Sequence, residues 1–234
     1  MDRRRRTRAS KPGESARSVG DGAASIPKAV IFDIGRVIVR LDPKRALEPF
    51  AAAMNGSGEQ SAKTLSAEDA WEVIRADQRW HDWQEGRISS AEWHHHLMLR
   101  LKLSLGFEEF RDAWNLVLDP ELILGESFFA RLSARCRLAL LSNTDPIHVE
   151  YLEQRFSFWR QFPVKIYSCR VGMSKPSPAI YEAALESLGV GAREALYVDD
   201  MPEFVAAARR IGIDSICFTT KALLELELRR RHLC

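Results

Sequence analysis

Apolar positions along this chain fall into two textures. In the first, short runs of apolar side chains stand together: Ala29-Val30-Ile31-Phe32 leading into Asp33, then Leu138–Leu141, Lys165–Ser168, Ala195–Val198 and Ile213–Phe218. Such runs are the pattern of strands buried on both faces of a parallel sheet. Between the later runs, apolar residues recur at helical spacing near 146–157, 178–188 and 202–211, with a last helix after Thr220. Strand and helix alternating at this pitch predict a parallel sheet covered by helices on both faces.

The second texture runs from Lys44 to about Phe110, where the period is helical and no strand-like run occurs. Ala46, Phe50 and Met54 recur at four-residue steps, Ser66 stands as an N-cap, and Ser89 with Glu92 has capping-box spacing. Asp119-Pro120 predicts the start of one more helix, carrying Leu122, Phe129 and Leu132. The strand at 29–33 lacks partners of its own kind nearby, so it joins the later strands. The expected architecture is α/β: a Rossmann-like core from 28–41 and 119–234, with 42–118 inserted as a helical cap.

Composition adds a tail. Residues 1–27 are rich in Arg, Ser, Gly and Ala, a mixture that cannot offset the entropy of ordering, and a disordered basic tail is expected. Residues 1–28 carry a net charge of +5 within a total of +2, which leaves −3 for the rest. That balance gives no reason to expect nucleic-acid binding by the folded part. No run approaches the ~18 apolar residues of a membrane span. The four cysteines (Cys136, Cys169, Cys217, Cys234) lack metal-ligand spacing, and Cys136 and Cys217 sit in strand-like runs, so buried thiols in a reducing cytoplasm are expected. Trp71, Trp80, Trp83, Trp93 and Trp114 read as helix-packing core. His94-His95-His96 cannot converge on one ion, because successive helical residues point in different directions.

The chemistry gathers at strand ends. A carboxylate closing a buried strand is costly to desolvate unless paired, so Asp33 needs a partner. In an open α/β sheet, ligands bind beyond the carboxyl ends of the strands. Those ends carry Ser142-Asn143-Thr144-Asp145-Pro146, Lys175-Pro176-Ser177-Pro178 and Asp199-Asp200-Met201-Pro202, each opening a helix. Three helix N-termini with Ser142, Asn143 and Lys175 suit a phosphoryl group. Three clustered carboxylates, Asp33, Asp199 and Asp200, repel one another unless a hard divalent ion such as Mg²⁺ binds them.

These four stretches, in this order, resemble the four motifs of the haloacid dehalogenase-like hydrolase superfamily over residues 29 to about 218. Phe-Asp-Ile-Gly-Arg-Val-Ile-Val from Phe32, with Gln84-Glu85-Gly86-Arg87-Ile88-Ser89, is most similar to the small sugar-phosphate phosphatases, α-glucose-1-phosphate phosphatase among them. The resemblance implies that Asp33 is a nucleophile forming an aspartyl-phosphate. It also implies Mg²⁺ held by Asp33, Asp199 or Asp200 and the Gly35 carbonyl, phosphoryl oxygens held by Ser142 and Lys175, and a small phosphorylated metabolite as substrate. Oligomeric state is not legible.

The sequence departs from the superfamily pattern twice. Gly35 replaces the usual second Asp that protonates the leaving group, with Asp42, His81 and Glu85 as the substitutes considered, and Phe204 replaces an Asn or Asp near the metal. Arg36, next to the glycine, either adds positive charge at the phosphate or faces solvent. Two other readings remain: a metal-independent 2-haloacid dehalogenase, disfavoured by the paired acids, and a catalytically weak binding module.

Overall fold

A computed structural model describes residues 26–56 and 66–233. The expected basic tail lies outside these residues apart from positions 26 and 27, as does Cys234, and the side chain of Met54 is likewise not described. Along the chain, β1 (Ala29–Phe32) and β2 (Val39–Leu41) precede five helices: α1 (Pro43–Gly56), α2 (Ala67–Arg75), α3 (Gln78–Gln84), α4 (Ser90–Leu101) and α5 (Phe107–Asn115). Then come β3 (Leu118–Leu122), α6 (Glu126–Ser133), β4 (Arg137–Ser142), α7 (Pro146–Arg155), β5 (Val164–Tyr167) and α8 (Ser168–Val171). The chain continues through α9 (Pro178–Leu188), β6 (Ala195–Asp199), α10 (Pro202–Arg210), β7 (Asp214–Cys217) and α11 (Lys221–Arg230).

Five strands form a parallel sheet in the order β5-β4-β1-β6-β7. The opening strand is therefore its centre, which is why it has no polar position before Asp33. Alternate residues of β1 serve opposite faces. Val30 and Phe32, with Leu140 and Val198, pack against α6, α7 and α11 through Phe128, Phe129, Leu152 and Leu224. Ala29 and Ile31, with Leu141 and Tyr197, pack against α9 and α10 through Ile180, Tyr181 and Ala208. Each large apolar side chain buried this way contributes on the order of 1.5–3 kcal/mol. The position of Asp33 is thus set by its neighbours and not by its own charge. Register does the rest: Phe32 lies beside Leu140 and Val198, so Asp33, Ser142 and Asp199 emerge side by side at one edge.

Two expectations are corrected. Asp119-Pro120 does not begin a helix; Leu118–Leu122 is a strand, paired antiparallel with β2 as a two-stranded ribbon where the chain leaves the sheet and returns. Asp-Pro has the chemistry of a helix start, but Asp119 Oδ1 instead accepts from the Glu121 N–H within the strand, and the helix begins at Glu126. Cys217 is exposed, because its strand is the sheet's edge; Cys136 is buried as expected.

The helices between β2 and β3 have their own core, with Phe50, Trp83, Trp93, Leu97, Phe110 and Trp114 packed together and Ile147 of α7 joining them from the sheet side. The capping boxes at Ser66/Asp69 and Ser89/Glu92 both form. His94 bonds the Leu105 carbonyl and His96 bonds Asp77, so the histidine run diverges. Among the described residues, no helix is long and apolar enough to cross a membrane.

Candidate active site

At the sheet edge, Lys175 sits between two carboxylates. Its Nζ is 2.7 Å from Asp199 Oδ2 and 2.9 Å from Asp33 Oδ1, and all three groups are buried. The ammonium lies off the direction a hydrogen bond to Asp33 Oδ1 needs, and that buried oxygen has no other donor. Burial pushes the Asp33 carboxyl up to about 6, with Lys175 opposing and Asp199 adding to the rise. Burial alone would lower the Lys175 ammonium, but the two carboxylates outweigh it and hold it above its ordinary value. Asp200, half-buried, is raised first by burial and then by Asp199, with Arg36 Nη1 3.5 Å away pulling the other way.

One oxygen from each of Asp33, Asp199 and Asp200 lies within 4.8 Å of the others, and among the described residues no other group of three metal-binding side chains converges. Three carboxylates against the buried Lys175 ammonium and the exposed Arg36 beside Asp200 leave the cluster net negative. That deficit, the unbonded Asp33 Oδ1 and an all-oxygen donor set fit Mg²⁺. Asp199 has little left to offer such an ion. Its Oδ2 takes Lys175 and the Tyr197 hydroxyl, and its Oδ1 accepts from the Met201 N–H at 2.8 Å. Asp33 and Asp200 carry the available oxygens.

The other expected residues divide by role. Ser142, buried at the end of β4, lines the cavity. The Asn143 side chain is spent on the backbone of Lys175: its Nδ2 donates to the Lys175 carbonyl at 2.9 Å and its Oδ1 accepts from the Lys175 N–H at 2.8 Å. Its amide therefore positions the lysine, and only the backbone of Asn143 remains for a phosphate. Asp145 caps α7 as expected, whereas Ser177 precedes α9 without a side-chain cap. Phe204 lays its ring 4.8 Å from Lys175 Nζ, a cation–π contact at the position where the resemblance leads one to expect Asn or Asp. At Gly35, an added Cβ would stand 2.9 Å from Leu41 Cδ1, so Leu41 fills the space beside the missing acid.

Above these residues lies a cavity of about 490 Å³, closed on the far side by α1, α2, α3 and α5. His81 and Glu85 line it; Asp42 does not and instead accepts from the Lys44 N–H near the start of α1. Glu85 is held by Arg87 and Ser174. The helical side docks tightly here: Ser168 donates to the Gln84 carbonyl at 2.6 Å, and a Cβ on Gly86, at φ +68°, would lie 2.3 Å from the Cys169 carbonyl. The aromatic stripe is helix-packing core as expected, with one addition. Trp83, Trp93 and Trp114 are buried in it, while Trp71 and Trp80 are half-buried, pack against it and also line the cavity. Helical spacing alone does not reveal that second use.

The sequence also concealed a buried pair. Asp145 Oδ2 accepts from Trp114 Nε1 at 3.1 Å and lies 2.9 Å from His148 Nδ1, while His148 Nε2 reaches the Trp114 carbonyl at 3.1 Å. Burial disfavours the charged imidazole, yet the Asp145 carboxylate outweighs it and raises His148; the same contact holds Asp145 below its ordinary value despite burial. An Asp-Pro helix cap with a histidine three residues on was the only signal.

Comparison with known proteins agrees with this geometry. A family model described as haloacid dehalogenase-like hydrolase matches residues 27–212. D-ribitol-5-phosphate phosphatase of Bacteroides thetaiotaomicron is 23% identical over 194 residues, covering 80% of this chain and 90% of its own. Sesquiterpene phosphatase astK of Aspergillus oryzae is 24% identical over 206 residues, covering 87% and 95%. A haloacid dehalogenase-family enzyme of B. thetaiotaomicron, solved with magnesium and inorganic phosphate, superposes with a TM-score of 0.70 at 21% identity, over 83% of this chain and 96% of that one. With the motif residues gathered at the strand ends and the family model spanning most of the chain, this protein belongs to the haloacid dehalogenase-like hydrolases.

Proposed function

We propose that the protein is a Mg²⁺-dependent phosphatase that hydrolyses a small phosphomonoester through an aspartyl-phosphate on Asp33, with residues 42–118 serving as the cap over the site. The observation that carries this reading is the buried Asp33–Lys175–Asp199 cluster with Asp200 beside it, net negative in charge. Support comes from the two relatives matched over most of their length, both phosphatases by name, and from the related fold solved with magnesium and phosphate.

The Asp33 carboxylate attacks phosphorus, forming an O–P bond as the ester P–O bond breaks. Lys175 holds Asp33 ionised at neutral pH and, with the Ser142 hydroxyl and the N-terminus of α7, stabilises the phosphoryl oxygens. Asp33, Asp200 and the Gly35 carbonyl would hold Mg²⁺, which would supply charge neutralisation at those oxygens. The leaving oxygen takes its proton from His81, which lines the cavity and, unlike Glu85, is not tied to an arginine. Water, giving a proton to the now neutral His81, then attacks phosphorus; its O–P bond forms as the aspartyl O–P bond breaks, releasing inorganic phosphate and the Asp33 carboxylate.

The dehalogenase alternative gives Asp200 no task. The test is p-nitrophenyl phosphate turnover by wild type and Asp33→Asn, with Mg²⁺ and with a chelator. Metal-dependent turnover that Asp33→Asn abolishes is expected. Metal-independent release of halide from 2-haloacids, or no turnover on any phosphate, overturns the proposal.

A further inference from the structure

The cavity's two sides differ so much that they also bear on the alcohol. We infer that the group released from phosphate is apolar, an alkyl or aryl alcohol and not a sugar; this deepens the phosphatase proposal above and rests on it. The phosphate-facing side supplies the donors and charges. Opposite it, Leu41, Ala46, Leu47, Trp71, Trp80 and Val117 present carbon surface to the same space. Trp71 and Trp80 meet edge to face at 5.8 Å and are half-buried, leaving indole area bare toward the cavity. Large aromatic rings left partly uncovered inside a cleft gain most from an apolar ligand that covers them.

A sugar would need several hydrogen-bond partners there, and few of the polar side chains at hand are free. Asp145 and His148 are bonded to each other and to Trp114, and Glu85 is bonded by Arg87 and Ser174. His81 serves the leaving oxygen itself, Glu203 is exposed, and Gln84 supplies a single amide. Each hydroxyl buried without a partner weakens binding by roughly 5- to 150-fold. At about 490 Å³, the space falls in the range that takes a mid-sized organic group beyond the phosphate.

The test is kcat/KM of the full chain with Mg²⁺ on n-alkyl monophosphates from ethyl to octyl, beside glycerol, ribitol and glucose phosphates, with p-nitrophenyl phosphate as the class control. The expected result is a rise of about fourfold per methylene, the equivalent of about 0.8 kcal/mol, until the cavity is filled. Sugar phosphates should lie well below the longer alkyl esters. In Trp71→Ala the octyl-to-ethyl ratio should fall; that ratio is internal to one preparation, so a loss of folded protein does not move it. A flat alkyl series, or sugar phosphates equal to or better than octyl phosphate, overturns the inference while leaving the phosphatase proposal standing. Failure to hydrolyse any phosphate, p-nitrophenyl phosphate included, overturns the phosphatase proposal and this inference with it.

Discussion

On the sheet side of the cavity, Lys175, Asp33 and Asp199 are buried charges held at 2.7 and 2.9 Å; on the helical side, Trp83, Trp93 and Trp114 are rings with centroids 5.5 to 6.5 Å apart. The floor is ordered by electrostatics, with a charge deficit left over. The roof is ordered by packing. Buried charge is a poor source of stability because its desolvation cost offsets its attraction, whereas buried aromatic area is a good one. The floor therefore serves chemistry at a cost in stability, and the roof supplies stability and shape. A metal should matter to the first and hardly to the second.

The largest effect that would break this contrast is at Lys175. Replacing it in Lys175→Met leaves Asp33 and Asp199 buried without compensation, an expected loss of about 3–5 kcal/mol in urea unfolding. A loss no larger than that of a surface ion pair, about 1 kcal/mol or less, would mean the floor is not electrostatically organised. On the roof, Trp83→Ala should cost about 3–5 kcal/mol through the void it leaves. Yet Mg²⁺ at a hundred times its Kd should still stabilise this variant and wild type alike, by about 2.7 kcal/mol, and should stabilise Asp200→Asn less. Thermal melts with and without the ion measure all three, and a gain equal in Asp200→Asn would contradict the metal placement.

Much of the floor was legible in the chain itself. An unbroken apolar strand ending in Asp33 declares a central parallel strand, and the acids, lysine and hydroxyl declare themselves by standing at the ends of other such strands. Roles within the floor were less legible. Asn143 looks like a phosphate ligand in sequence, and only its bonds to the Lys175 backbone make it a positioning group. The roof was less legible: helical periodicity marks Trp71 and Trp83 alike as inward-facing, because both pack on one core and only Trp71 also borders the cavity. Leu118–Leu122 misled for a local reason, since Asp-Pro suits a helix start and the strand exists only through its partner β2.

Two smaller predictions sharpen where floor and roof meet. His81→Gln should lower kcat on alkyl phosphates by about 10²-fold, the size of a lost general acid. On p-nitrophenyl phosphate, whose leaving group departs without a proton, it should fall far less; equal losses would assign His81 to binding. The Asp145–His148 pair ties α7 to Trp114, and its pH dependence follows from its direction. His148 is raised above 6.5, so its contribution is full below that pH and is lost as pH rises through the higher folded value. Asp145 is lowered below 3.8, so its contribution is full above that pH and is lost as pH falls through the lower folded value. Urea midpoints against pH should thus decline above about 6.5 in wild type and decline less in His148→Gln. Parallel curves would show that the pair is not a charged clasp.

The central claim is that Asp33, at the end of the central strand, carries the phosphoryl group. It is tested most directly by acid-quenching the enzyme during turnover with excess p-nitrophenyl phosphate and Mg²⁺, then mapping phosphoryl adducts by mass spectrometry. The expected result is an acid-stable, hydroxylamine-labile adduct on the peptide containing Asp33, absent without Mg²⁺ and absent in Asp33→Asn. Steady turnover with no adduct on that peptide, or an adduct on another residue, would contradict it.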